Sequence, residues 1–184
     1  ALLNRKYDVI SVCAPDNAHA TIISAILKKK AARIIWAEKP LALTAHDARR
    51  IIAKAKAAKI GILLSNQRRW EPCHIKIRDL IRTKTIGDIL HVNGYYVKGI
   101  THIGCTLINT LRFLCGDVVW AEAIPPYKQG SYGNDPSLNA CLGFRNNATA
   151  FIKGCDAKEY EYSIFELDLI GSRGRITLTD NGNT

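Results

Sequence analysis

Three short polar segments of the sequence each follow an apolar run, and their side chains could bind a ligand and move a proton. The segments are residues 14–19 with Pro15, Asn17 and His19, residues 38–40 with Glu38, Lys39 and Pro40, and residues 65–70 with Asn66, Arg68, Arg69 and Trp70. A lysine ammonium suits an oxygen that loses a proton, and a carboxylate accepts well from a hydroxyl. Each segment also has an ordinary structural explanation, because Asn17 can cap a helix and neighbouring charged residues can form solvated pairs.

The apolar runs before these segments predict three buried strands, at residues 7–13, 34–37 and 60–64. Helical patterns separate the strands: one begins at Asn17 and ends in Lys28–Lys30, and the other begins at Thr44, in a capping-box-like Thr-x-x-Asp, and runs to Lys59. This alternation predicts a parallel sheet of the doubly wound type. Ligands bind beyond the carboxyl ends of the strands in such sheets, so the three polar segments are expected to line one cleft.

The pattern changes after Ser65, and the remainder of the chain predicts an α+β domain. Pro72 begins a helix that ends near Gly87, and a second helix is expected from Gly104 to Leu114. Six strands are expected, at residues 89–97, 118–124, 139–145, 149–155, 162–170 and 174–179. Their rough alternation of apolar and polar residues predicts a mostly antiparallel sheet with one open face.

The phosphate-binding turn of a doubly wound domain is missing from the sequence. Such domains hold a pyrophosphate with a glycine-rich turn between the first strand and the first helix, and no G-x-G-x-x-G occurs in the chain. Gly171 and Gly174 lie between two predicted strands, which is the wrong context for that turn. The sequence also contains no Met. These observations predict a partial doubly wound sheet and a chain that is an interior fragment of a longer protein.

Several segments together resemble the glucose–fructose oxidoreductase, inositol dehydrogenase and MocA (Gfo/Idh/MocA) family. They are Val9–Pro15 with His19, Ala37–Ala42, Asn66 with Arg68–Trp70, Gly104–Gly116 and Phe165–Ile176. The resemblance implies an NAD- or NADP-dependent oxidoreductase that transfers a hydride between nicotinamide and a sugar, polyol or sugar nucleotide. It also implies that residues 1–66 are the later part of a dinucleotide-binding domain, and that residues 67–184 are a substrate and dimerisation domain.

The resemblance also implies a role for each matching residue. Lys39 would bond the reacting hydroxyl and hold the nicotinamide end of the cofactor, Glu38 would accept from a ribose hydroxyl, and Pro40 would fix the turn with a cis bond. Pro15, Asn17 and His19 complete the implied cofactor side. The implied substrate side consists of Asn66, Arg68, Arg69, Trp70 and Asn109.

The sequence departs from the family at the expected acid/base position. The family pattern in the second-domain helix is Asp-x-x-x-His, and the matching residues here are His102 and Thr106. A threonine hydroxyl cannot exchange protons near neutral pH as an imidazole does. His102 either replaces the missing imidazole from one turn earlier or is a cap or a bystander. The chain is therefore either an oxidoreductase in which Lys39 and His102 handle the proton, with Thr106 at the catalytic acid/base position, or a non-catalytic relative that keeps the fold as a binding or dimerisation module.

The composition limits the remaining possibilities. The net charge of +10 suits a phosphate-bearing ligand, but the basic residues are spread along helices, which disfavours nucleic-acid binding. No apolar run approaches the ~20 residues of a membrane span, and no export signal begins the chain. The six Cys have no C-x-x-C pair, so we expect small buried residues in the reducing cytoplasm and no metal site. The open sheet face is a candidate homodimer surface, as the resemblance also implies.

Overall fold

The computed structural model describes residues 2–128, 135–155 and 164–179. The chain divides into two compact units, Ala1–Asn66 and Gln67–Thr184. Among the described residues, no helix has the length and hydropathy that a membrane span requires.

The first unit is a three-stranded parallel sheet with two helices. A 3-10 turn at Leu2–Asn4 precedes strands β1 (Tyr7–Val12), β2 (Ala32–Ala37) and β3 (Gly61–Leu64), which lie side by side in that order. Helix α1 (Asp16–Lys29) connects β1 to β2, and helix α2 (Ala45–Ala58) connects β2 to β3. The predicted partial doubly wound sheet is therefore confirmed, with β2 beginning two residues earlier than expected. The expected burial of all three strands was wrong, because most residues of β1 and β3 are exposed or only partly buried.

Local sequence explains where these helices begin and end. The Thr44 side chain accepts a hydrogen bond from the Asp47 amide at 3.0 Å, which confirms the predicted start of α2. Lys30 and Lys59 adopt the left-handed conformation directly after α1 and α2, and their amides bond back into the last turn. Between the helices and the sheet lies an apolar core that includes the fully buried Ile23 and Ile35.

The second unit is an α+β domain. Its helices are α3 (Pro72–Arg82) and α4 (Cys105–Cys115); a 3-10 turn (Gln67–Trp70) precedes α3, and a π-helical turn (Gly99–Gly104) precedes α4. Its strands are β4 (Ile89–Tyr96), β5 (Val118–Lys128), β6 (Ser137–Phe144), β7 (Thr149–Gly154), β8 (Phe165–Gly171) and β9 (Arg175–Leu178). The spatial order is β5-β6-β7-β4-β8-β9, with β4 and β7 parallel and the other pairs antiparallel.

The strand register separates a buried face from an open face. One row across the sheet, Ala121–Leu142–Ala150–Val92–Leu169, belongs to the face that packs on α4 through Leu107 and Leu111. The neighbouring row, Trp120–Gly143–Thr149–His91–Ile170, belongs to the opposite face. On that face Trp120 is 48% exposed and Ile170 is 37% exposed. The mostly antiparallel, open-faced sheet is thus confirmed.

One expectation from the sequence needs correction, and another falls partly outside the described residues. The prediction of six buried cysteines was wrong, because only Cys115 is buried and Cys13 is exposed. Burial raises the pKa of the Cys115 thiol to about 12. The strand predicted at 162–170 begins outside the described residues, and its described part is β8.

Candidate functional site

The polar segments of the first unit begin where its parallel strands end. Val12, Ala37 and Leu64 are register partners in the last positions of β1, β2 and β3. The ladder continues one residue further, because the Glu38 amide donates to the Val12 carbonyl at 3.0 Å and the Ser65 amide donates to the Ala37 carbonyl at 2.8 Å. This carboxyl edge of the first unit, residues 14–19, 38–40 and 65–66, is where ligands bind in parallel α/β sheets.

His19 joins two loops of the carboxyl edge. Its imidazole is completely buried, with Nε2 2.7 Å from the Ala14 carbonyl oxygen and Nδ1 2.7 Å from the Pro40 carbonyl oxygen. Carbonyl oxygens only accept, so a neutral ring donates to one of them and a protonated ring donates to both. His19 therefore positions the loop that carries Glu38 and Lys39.

The other predicted cofactor-side residues differ in exposure. Pro15 and Asn17 are exposed at the start of α1, whereas Glu38 and Lys39 are half-buried. The Lys39–Pro40 peptide bond is cis, as expected from the resemblance.

Of the residues predicted on the substrate side, Asn66 falls in the first unit and Trp70 in the second. The Asn66 side-chain amide donates to the Leu64 carbonyl at 3.5 Å, so it is held close to the end of β3. Trp70 closes the 3-10 turn before α3 and is 78% exposed.

Within the second unit, Arg69 and Asn109 are brought together. The Arg69 Nε donates to Asn109 Oδ1 at 2.7 Å, and the guanidinium carbon lies 5.3 Å from the centre of the Phe113 ring. Asn109 and Phe113 lie four residues apart, on one face of α4, and Thr106 is three residues before Asn109 on that same face. Arg69 is therefore fixed on the helix face that includes Thr106.

Arg68 is held by a different set of contacts. Its guanidinium carbon lies 3.7 Å from the centre of the Phe165 ring, and Nη1 lies 3.3 Å from Glu71 Oε2. Burial lowers the pKa of Arg68, and the Glu71 carboxylate opposes that effect. Burial likewise lowers the pKa of His74, whose Nδ1 lies 3.0 Å from the same Glu71 oxygen. The arginines are thus part-buried and bonded within the second unit, instead of the solvated pair that the sequence alone allowed.

The two acid/base candidates lie in consecutive helical segments. His102 belongs to the π-helical turn, whereas Thr106 lies in the first turn of α4. Both side chains are part-exposed. His102 is therefore included in a continuous helical path, as its proposed substitution for an imidazole at 106 requires.

Asp135 anchors this helical path, and the sequence alone gave no reason to select it. Its two carboxylate oxygens accept from the Thr101 amide at 3.1 and 2.9 Å, and Oδ2 accepts from the His102 amide at 3.0 Å. A carboxylate at a helix start satisfies otherwise unpaired amides and suits the helix dipole. Gly99 allows this approach, because a Cβ there would overlap the carboxylate, and its φ is +80°. Only the turn residues around Asp135 were visible as a sequence signal.

We expect Asp135→Ala to destabilise the second unit by about 1–3 kcal/mol, because the Thr101 and His102 amides lose their acceptor. Urea denaturation followed by circular dichroism measures this change. Asp117→Ala is the matched control, since Asp117 is exposed and pairs with the exposed Arg112. Equal, small losses in both variants would contradict the anchoring role.

Comparison with known proteins shows what the chain is similar to. Residues 1–64 match the model of an oxidoreductase family with an NAD-binding Rossmann fold. The chain is 32% identical over 102 residues to an inositol 2-dehydrogenase of Salmonella paratyphi B. The alignment covers 54% of this chain and 30% of that protein. It is 23% identical over 188 residues to a myo-inositol 2-dehydrogenase of Thermotoga maritima, covering 92% of this chain and 55% of that protein.

A solved structure extends the fold similarity across both units. The WlbA dehydrogenase of Bordetella pertussis, in complex with NADH and UDP-GlcNAcA, superposes with a TM-score of 0.84 at 15% identity, over 97% of this chain and 60% of that one. At this identity the match establishes the fold alone. The chain spans between 30% and 60% of the length of these three proteins.

Proposed function

We propose that the chain is a member of the Gfo/Idh/MocA family of oxidoreductases, whose NAD-binding model matches residues 1–64, and that it serves hydride transfer between NAD or NADP and a sugar, polyol or sugar nucleotide. The proposal is supported by relatives that are named as inositol dehydrogenases and by a structural neighbour that holds NADH and UDP-GlcNAcA. The proposal includes a cytoplasmic location, because six free thiols suit a reducing compartment.

One observation carries the proposal: the carboxyl edge of the first unit holds Glu38 and Lys39 together on a loop fixed by His19. On this proposal the Lys39 ammonium bonds the substrate oxygen, and it stabilises the negative charge that develops there as the hydride leaves or arrives. Glu38 accepts from a ribose hydroxyl of the cofactor. Pro15 and Asn17 contribute from the exposed start of α1, and His19 acts through the loop it holds.

The second unit supplies the substrate side of the proposal. Arg69 and Asn109 present a cation and an amide beside Thr106, and these groups suit the hydroxyls or the phosphate of a sugar derivative. Arg68, Trp70 and Asn66 remain proposed substrate residues. Proton transfer is assigned to Lys39 and His102, and Thr106 stays a proposed site residue at the acid/base position.

We expect saturable binding of NADH or NADPH, measured as a rise in nicotinamide fluorescence on titration with the chain. Lys39→Met should weaken binding about tenfold, which corresponds to about 1.4 kcal/mol, because it removes a contact to the nicotinamide end. Lys54→Met is the matched control, since Lys54 is exposed on α2 of the same unit. If Lys39→Met and Lys54→Met weaken binding equally, the cofactor is held by general charge attraction. That result would contradict the proposed role of Lys39.

A non-catalytic relative is the second candidate, and Thr106 is the observation that favours it. The described structure places no imidazole at that position of α4, and the nearest candidate, His102, lies in the preceding π-helical turn. In this case the fold would bind a nucleotide or a second chain without hydride transfer. Cofactor binding without oxidation of any polyol would support this candidate.

We also propose that the open face of the second-unit sheet joins two copies of the chain. Trp120 lies over Gly143, where a Cβ would overlap the indole, and Trp120 and Ile170 keep much of their apolar surface exposed. Exposed apolar surface on an antiparallel sheet is typical of an association surface. The family resemblance supports the same face.

Trp120→Glu is expected to convert a dimer into a monomer, measured by light scattering after size-exclusion chromatography. The charge would have to be desolvated at the interface, which costs more than the contact provides. Trp70→Glu is the control, because Trp70 is an exposed tryptophan that belongs to a 3-10 turn and not to a strand of the sheet. A monomeric wild-type chain at high micromolar concentration would contradict the proposal.

A further inference from the structure

The start of α3 brings together three side chains that are all metal ligands. Glu71 precedes the helix, and Cys73 and His74 lie in its first turn. The His74 Nδ1 lies 3.0 Å from Glu71 Oε2 and 3.2 Å from the Cys73 sulfur, and the three ligand atoms lie within 4.8 Å of one another. A sulfur, an imidazole nitrogen and a carboxylate oxygen at such spacing can share one tetrahedral ion.

The surroundings separate this cluster from an ordinary surface group of polar residues. The His74 side chain is completely buried, and its Nε2 has no hydrogen-bond partner among the described residues. The Glu71 side chain is 37% exposed and does not cap the helix, so its carboxylate is available to the cluster. The buried imidazole is a ligand that is held in place, and the partly exposed carboxylate gives an ion access from solvent.

We propose that Glu71, Cys73 and His74 form a site for a borderline-soft divalent cation of the Zn²⁺ type. Mixed sulfur, nitrogen and oxygen ligands favour Zn²⁺ over Mg²⁺ or Ca²⁺, which require oxygen ligands. Binding releases the thiol proton of Cys73 to solvent, so that one thiolate and one carboxylate balance the two positive charges of the ion. Three protein ligands leave the fourth position to water, which makes the site exchangeable.

The site is coupled to Arg68 through Glu71. The Arg68 Nη1 lies 3.3 Å from the same carboxylate oxygen that faces His74, so the guanidinium and a metal ion compete for Glu71. Arg68 also stacks on Phe165, which keeps the guanidinium in place when Glu71 turns to an ion. Removing the charge of Arg68 should therefore strengthen metal binding, whereas removing a ligand should weaken it.

The test is a titration of the metal-free, untagged chain with Zn²⁺ against a chromophoric chelator, with Co²⁺ as the spectroscopic probe. We expect one ion per chain and a thiolate-to-cobalt charge-transfer band. Cys73→Ser should abolish that band, and both Cys73→Ser and Glu71→Gln should weaken binding at least tenfold. Arg68→Met should tighten binding, a result that general unfolding cannot produce.

Cys105→Ser is the matched control, because Cys105 is another part-buried cysteine of the same unit and its sulfur donates to the Thr101 carbonyl at 2.9 Å. It should leave both the stoichiometry and the cobalt band unchanged. Absence of saturable Zn²⁺ binding would overturn the proposal. So would a cobalt band that persists in Cys73→Ser, since the thiolate ligand would then come from elsewhere in the chain.

Discussion

Replacing Thr106 with histidine is expected to raise the rate of hydride transfer by about 10²–10⁴-fold, the usual contribution of a positioned general acid or base. Residue 106 lies on the α4 face where Asn109 holds Arg69, so an imidazole there would share that face with an anchored cation and amide. A threonine hydroxyl cannot take the substrate proton near neutral pH, whereas an imidazole can. The measurement is NADH formation with myo-inositol and other polyols as hydride donors.

Thr106→Asn separates the imidazole from side-chain size and hydrogen bonding. It provides polar atoms at residue 106 but no group that titrates near neutral pH, so it should leave the rate at the wild-type level. A rate that rises equally in both variants would show that shape, and not proton transfer, limits the wild-type chain. No rise in Thr106→His, with cofactor binding intact, would favour the non-catalytic relative and contradict the expectation that the missing imidazole limits the rate.

Much of the fold was predictable because its determinants are local. Short apolar runs bounded by polar segments identified β1 and β3, and the Thr44 side chain marked the start of α2 correctly. Parallel pairing followed from the alternation of strands and helices. Boundaries that depend on pairing with a neighbour were less predictable, such as the first residues of β2, where Ala32 pairs with Tyr7.

The contacts of the site were not predictable, since they join residues distant in sequence. Arg68 and Arg69 carried no local signal for their partners Phe165 and Asn109, and the alternative of a solvated pair fitted the sequence equally well. Asp135 belongs to a turn-rich segment, and nothing in that segment indicates that its carboxylate caps a helix 34 residues earlier.

For His19, the sequence predicted the position of the residue but not its role. The strand pattern placed this residue at the carboxyl edge, but the sequence could not distinguish contact with a cofactor from support of a loop. Its two short contacts to backbone carbonyls show that His19 supports the loop, and contact with a cofactor stays a prediction.

His19→Leu is expected to destabilise the first unit by about 2–4 kcal/mol, because it removes one or two hydrogen bonds to the Ala14 and Pro40 carbonyls. Leucine has a similar size and would keep the site filled, so the loss reports the missing donors and not a cavity. Hydrogen exchange measured by mass spectrometry should show faster exchange across residues 32–42, where the Glu38 amide bonds to Val12.

The control for this prediction lies in the same unit. His46 has a side chain that is 80% exposed near the start of α2, so His46→Leu should change stability by less than about 0.5 kcal/mol. If His19 positions the loop of Glu38 and Lys39, His19→Leu should also weaken nicotinamide binding, although it leaves both of those side chains in place. Lost stability with unchanged nicotinamide binding would separate the two effects and limit His19 to a role in folding.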